Sequence, residues 1–130
     1  MSQSISVLLV DDEQGFLEAM SKRLAKRGFL VRMANGGVKA LDLLAHSESD
    51  VVILDQKMPE MDGLQTLVQI KARHPRVKVI MLTGHATVDS AVSGMALGAY
   101  EYLVKPCDLE TLVEQIHASV GWREARGGLA

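Results

Sequence analysis

Residues 5–13, ISVLLVDDE, decide the fold. Ile5 to Val10 is a short, almost continuous apolar run rich in β-branched residues, and the acids Asp11, Asp12 and Glu13 end it abruptly. The run is too short for a buried helix, so it predicts a strand covered on both faces. Such a strand needs helices above and below it. The next residues supply the first of them: Phe16, Leu17, Met20 and Leu24 recur at helical spacing, and Gly28 closes the pattern.

Outward from that unit the alternation continues. Leu30 to Ala34 predicts a second strand. Asn35 is the expected cap of a helix whose apolar stripe is Val38, Leu41 and Leu44. Val51 to Leu54 (VVIL) predicts a strand that stops at Asp55. The loop Met58-Pro59-Glu60-Met61-Asp62-Gly63 comes next, and then a helix with Leu64, Leu67, Val68 and Lys71 on one side. In that loop Pro59 presets φ, and Gly63 is expected at φ above zero. Val77 to Leu82 is the fourth strand, stopped by Thr83-Gly84, and Val88, Ala91, Val92 and Met95 form the next stripe, ended by Gly98. Tyr100 to Val104 is the fifth strand, stopped by Lys105-Pro106. Leu109, Leu112, Val113, Ile116 and Val120 mark the last helix, with Asp108 as its N-cap.

Five strand–helix units with strands buried on both faces predict one parallel sheet with helices on both sides, a three-layer flavodoxin-like (βα)5 sandwich with right-handed crossovers. In this architecture ligands sit beyond the carboxyl ends of the strands. Composition agrees. The chain has 130 residues, 48% hydrophobic and 23% charged, with one cysteine and a net charge of -2. That suits a single folded domain without a disulfide framework, and no basic surplus advertises nucleic-acid binding. No apolar stretch is long enough to span a bilayer. The first residues carry no basic segment of the secretory kind, so a cytoplasmic setting is expected. Residues 1–120 are read as the domain, and 121–130 as a helix extension, the start of a linker, or a tail. Trp122 to Arg126 are compatible with a continuing helix, and no helix-turn-helix output domain is expected after the fifth helix.

Polar residues collect where the strands end: Asp11 and Asp12 after the first, Asp55 after the third, Thr83 after the fourth and Lys105 after the fifth. Three carboxylates in one cleft repel and need a counter-charge. Mg²⁺ takes oxygen ligands and keeps several waters, so two or three carboxylates suit it. A lysine ammonium and a threonine hydroxyl opposite the metal suit a phosphoryl oxygen. The set reads as a site for moving a phosphoryl group onto an aspartate, with ordinary helix caps and loop polars as the plainer alternative. Cys107 reads as a small, partly buried hydrophobe with no base beside it. The histidines at 46, 74, 85 and 117 lack metal-ligand spacing.

The segments LLVDDE (8–13), ILDQKMPEMDGL (53–64), VIMLTGH (79–85) and GAYEYLVKP (98–106) are similar, in order and spacing, to the receiver domain of bacterial two-component response regulators. The resemblance covers residues 5 to 120. It implies strand order 2-1-3-4-5, Asp55 as phosphoacceptor, and Asp12 as a direct Mg²⁺ ligand. It implies that Asp11 acts through a metal-bound water, and that Lys57 contributes its backbone carbonyl. It makes Thr83 the switch hydroxyl, Tyr102 the aromatic that changes burial with it, and Lys105 the salt-bridging lysine, joined to Pro106 by a cis bond. Lys57 and His85 flank the phosphoryl mouth and are candidates for tuning hydrolysis.

The implied partners are a sensor histidine kinase or histidine phosphotransfer domain, received in part on the face of the first helix near Phe16 and Leu17, and a downstream protein or linked output domain. A homodimer through the fourth helix, fifth strand and fifth helix is a further candidate. Neither direct nucleic-acid binding by this chain nor membrane association is implied. The activity is self-phosphorylation with slow loss of the phosphoryl group rather than conventional turnover. Three alternatives stand beside it. A Mg²⁺-dependent aspartyl-phosphate phosphohydrolase of the haloacid-dehalogenase type wants a second acid two residues after the nucleophile, where this chain has Lys57. A docking module that never takes phosphate would lose an acid or the lysine, and both are kept. A flavodoxin-type cofactor carrier wants a phosphate-binding loop after Val10, where acids stand instead.

Overall fold

The computed structural model describes residues 4–121. Its elements alternate without exception: β1 (Ser6–Val10), α1 (Gln14–Lys26), β2 (Leu30–Ala34), α2 (Gly37–His46), β3 (Val51–Leu54), α3 (Gly63–Arg73), β4 (Lys78–Thr83), α4 (Val88–Ala96), β5 (Glu101–Val104) and α5 (Leu109–Ser119). The strands form one parallel sheet in the order β2-β1-β3-β4-β5, the architecture and order expected.

Alternation of side chains along each strand divides the interior into two cores. Leu8, Val10, Val52, Leu54, Val79 and Met81 face α2 and α3. Val7, Leu9, Val51, Ile53, Ile80 and Leu82 face α1 and α5. Each of these side chains is buried, which is why the strand sequences read as unbroken apolar runs. Burying a leucine or isoleucine side chain is worth about 1.5–3 kcal/mol, and the strands supply many of these side chains.

Register then places the strand ends. Val10 pairs with Ala34 on one side and Leu54 on the other, Leu54 pairs with Met81, and Thr83 pairs with Val104. The backbone bonds run one residue further: Asp11 N–H donates to Ala34 O at 3.1 Å, Asp55 N–H to Val10 O at 3.0 Å, and Lys105 N–H to Thr83 O at 2.9 Å. The sheet's own hydrogen bonds therefore fix the first residue beyond three strands at one edge.

Several local expectations are corrected. Asn35 does not cap α2; Gly36 holds the N-cap position and no side chain caps there. Val38 points to solvent, and Ala40, Leu41 and Leu44 make the buried stripe. In α3 the stripe is Thr66, Leu67 and Ile70, with Val68 exposed. The stripe read on α4 is a solvent face: Val88 is 79% exposed and Val92 63%, and only Gly94 of that helix is buried. The helix α5 spans Leu109–Ser119 and Gly121 takes φ 77°; the reading of Trp122 to Arg126 as a continuing helix falls outside the described residues. Asp108 caps α5 as expected, accepting from Thr111 N–H at 2.7 Å.

Gly63 is needed for a different reason than its φ. The positive φ in this loop belongs to Glu60, at 68°. A Cβ on Gly63 would lie 2.2 Å from the Asp55 carbonyl oxygen and 2.7 Å from Gln56 Cα. The start of α3 is thus pressed against the backbone of Asp55 and Gln56, and Gly63 N–H donates to Gln56 O at 2.7 Å. Asp62 locks this entry with a capping box to Gln65. Gly63→Ala should lose about 1–3 kcal/mol of stability in urea denaturation. Gly15→Ala, in α1 with nothing within 4 Å of the added carbon, should gain about 0.4–1 kcal/mol. Equal stability of Gly63→Ala and wild type would show that this close approach is not a constraint.

Candidate functional site

The edge so built carries an acidic cleft of about 430 Å³, lined by Asp12, Glu13, Asp55, Lys57, Gly84, His85 and Lys105. Carboxylate oxygens of Asp11, Asp12 and Asp55 all lie within 4.8 Å of one another. Asp11 and Asp55 are buried and Asp12 is exposed. Asp11 is held on both oxygens: Oδ1 accepts from Glu13 N–H at 2.9 Å, and Oδ2 from the Lys105 ammonium at 2.6 Å. Asp55 Oδ1 accepts from Gln56 N–H at 2.8 Å.

Burial raises the Asp11 pKa above the usual carboxylate value. The nearby Asp55 charge adds to this, while the Lys105 and Glu13 hydrogen bonds offset only part of it. For Lys105 burial works the other way, against the ammonium, but Asp11 above all, then Asp55 and Glu13, outweigh it and hold its pKa above the usual lysine value. The site is therefore an excess of negative charge with one embedded cation.

Of the remaining predicted residues, Lys57 and His85 line the cleft and are exposed at its mouth. Thr83 is buried at the end of β4, where its Oγ1 accepts from His85 N–H at 3.0 Å. Tyr102 is not at the cleft but on the α4 side of β5. Its ring lies against Gly94, whose added Cβ would come 3.0 Å from the ring, and its hydroxyl shares a 2.8 Å hydrogen bond with Ser90 Oγ. The Lys105–Pro106 bond is cis. Cys107 is half-buried and burial pushes its thiol pKa up, the environment of an inert thiol rather than a nucleophile. Leu17 is core, not docking surface.

Two residues join the site that the sequence did not place there: Glu13, read only as one of the acids after the first strand, and Phe16, read as part of a docking face. Glu13 approaches the Lys105 ammonium at 3.4 Å, and the ring of Phe16 lies under that ammonium, 3.9 Å from centroid to Nζ. The available signal was the helical offset that brings the first turn of α1 back over the end of β1.

Fold and cleft together define a parallel α/β protein with an oxygen-rich, cation-balanced site at the carboxyl ends of its strands. The chain belongs to the response regulator receiver domain family, whose model matches residues 7–117. It is 41% identical over 106 residues to the regulatory protein AtoC of Escherichia coli (strain K12), covering 82% of this chain and 23% of that protein. It is 36% identical over 114 residues to the response regulator MprA of Mycobacterium sp. (strain KMS), covering 88% of this chain and 50% of that protein. The chain thus spans half or less of the length of these curated relatives. A response regulator receiver domain protein from Clostridium thermocellum superposes with a TM-score of 0.86 at 34% identity, over 92% of this chain and 97% of that one. A CheY-like receiver domain protein from Methanospirillum hungatei JF-1 gives 0.89 at 27%, over 96% and 100%. Among the described residues no helix is long and apolar enough to cross a membrane.

The donor set fits Mg²⁺. Three carboxylates supply hard oxygen ligands, one of them open to solvent, leaving positions for the waters that this ion retains. Like charges this close cost about 1 kcal/mol per pair even at the dielectric of water. Asp12→Asn should therefore melt above wild type by about 2–5 °C without metal. Saturating Mg²⁺ should raise wild type more than the variant and narrow or reverse the order. A variant that melts below wild type without metal, or gains as much from Mg²⁺, would contradict this account of the cluster.

Proposed function

We propose that this chain is a phosphoacceptor signalling domain in which Asp55 takes a phosphoryl group from a phosphohistidine. The carrying observation is the position of Asp55: buried, pinned by the ladder bond to Val10, and grouped with Asp11 and Asp12 beside the Lys105 ammonium. Asp12, Asp55 and the Lys57 carbonyl are the proposed Mg²⁺ ligands, with Asp11 in support. When bound, the ion supplies positive charge to the phosphoryl oxygens.

The transfer is in line. A carboxylate oxygen of Asp55 attacks phosphorus, the nitrogen–phosphorus bond breaks, and the imidazole leaves with its electron pair. Lys105 balances charge on an equatorial oxygen. Acetyl phosphate is an expected alternative donor. The product is an acyl phosphate that water hydrolyses, and Lys57 and His85, at the mouth, are positioned to set that rate.

The added phosphoryl brings about two negative charges to the cleft. Thr83 answers it by turning its hydroxyl inward, which gives up its bond to His85 N–H. The Tyr102 ring then leaves its place against Gly94 and fills the vacated space, and α4 is released with it. Both arrangements pre-exist, and the phosphoryl shifts their populations. The output surface is α4, β5 and α5, and the apolar exposure of Val88, Val92, Met95 and Val104 supports that reading. Its occupant is a downstream protein, a linked output domain or a second copy. The donor is a sensor histidine kinase or histidine phosphotransfer domain docking in part on α1. Residues 1–120 form the functional unit, and the setting is the cytoplasm.

Incubation with Mg²⁺ and acetyl phosphate, followed by mapping of the base-labile adduct, should place it on Asp55 and find none in Asp55→Asn. In the same assay Lys57→Ala and His85→Ala should change the decay of the adduct by at least about twofold while leaving its site unchanged. Labelling of Asp55→Asn at the wild-type level would reject the reading.

A further inference from the structure

Lys105 makes its ion pairs with Asp11 and Glu13, and among the described residues none with Asp55. Its ammonium also rests over the Phe16 ring, 3.9 Å from the centroid, and its side chain is only 17% exposed. An ammonium over an aromatic face is attracted by the ring's quadrupole, more so where water is excluded. Three groups on one segment, Asp11, Glu13 and Phe16, therefore enclose the cation on the α1 side of the cleft. Asp11 Oδ2 accepts from this ammonium at 2.6 Å. Phe16 itself is not among the residues that line the cleft with Asp55 and Lys105.

We propose that Phe16, assisted by Glu13, is a positioning residue that parks the Lys105 ammonium while Asp55 is unmodified, and that charging Asp55 requires Lys105 to leave the ring. This rests on the phosphoacceptor reading above. A contact made only in the unmodified state must oppose the modified one by its own strength. The ring is thus a threshold on activation, acting through Lys105 and touching no reacting atom.

Nuclear magnetic resonance on the metal-free protein tests the parking directly. The Lys105 Hε protons should lie upfield of those of other lysines through the ring current, lose that displacement in Phe16→Leu, and keep it in Phe16→Tyr. Beryllofluoride with Mg²⁺, a phosphoryl mimic that needs no kinase and so bypasses any docking role of α1, tests the exchange. Its binding should abolish the upfield shift in wild type. Phe16→Leu should bind it about two- to fivefold more tightly, and Phe16→Tyr within about twofold of wild type. Absence of the upfield shift in the metal-free protein would overturn the parking. Retention of the shift in the beryllofluoride complex, or unchanged or weaker affinity in Phe16→Leu, would overturn the exchange. Failure of wild type to bind beryllofluoride at all would remove the phosphoacceptor reading itself, a result separable from the others because the metal-free spectrum is read first.

Discussion

The 2.6 Å contact between Lys105 Nζ and Asp11 Oδ2 joins the ends of the first and last strands across the cleft, and the site depends on it. Asp11 is buried among other acids, an arrangement that raises the pKa of its own carboxyl. The embedded ammonium makes a cluster of three carboxylates tolerable in the absence of metal. Removing Lys105 would leave Asp11 buried without its counter-charge, a larger loss than deletion of the pair. The sheet makes the contact possible, because ladder hydrogen bonds carry on one residue past β1, β3 and β5 and bring Asp11, Asp55 and Lys105 to one edge. Gly63 completes the frame by letting α3 close against the Asp55 backbone.

Away from that edge, further side-chain contacts lie at the end of β4 and between α4 and β5. Thr83 is bonded to the backbone of His85, the α4 N-terminus is capped by Thr87 and Ser90, and Ser90 holds the Tyr102 hydroxyl. Tyr102 in turn fills the concavity left by Gly94. Helix α4 buries little apolar surface of its own. Elements held by few buried contacts open at low free energy, which is the property a switching helix needs.

Much of this is legible in the sequence because parallel strands buried on both faces leave an unmistakable pattern. VVIL at 51–54 and the run ending at Val10 can be little else, and the residue after each such run must emerge at the carboxyl edge. Asp11, Asp55, Thr83 and Lys105 are readable for that reason. Periodicity fails where burial is not its cause. Val88, Val92 and Met95 have the spacing of a core stripe yet face solvent, because apolar spacing cannot distinguish a core from an exposed apolar surface. Asn35 has the right chemistry for a cap but stands one residue too early, with Gly36 at the boundary. The capping box of Asp62 and Gln65 is visible only as a spacing of three, which many loops share. Gly63 suggests a need for positive φ, whereas the constraint is a close approach between segments, a property of the tertiary structure alone. Phe16 and Glu13 join the site only once the direction of α1 over the strand end is known.

A crystal structure of the protein with Mg²⁺ and beryllofluoride tests the central claim most directly. The account predicts one metal ion among Asp11, Asp12 and Asp55, the beryllofluoride on a carboxylate oxygen of Asp55, and the Lys105 ammonium hydrogen-bonded to it. A bare Asp55 carboxylate in crystals containing both ligands, or an anion seated away from the Asp11, Asp12 and Asp55 cluster, would contradict it.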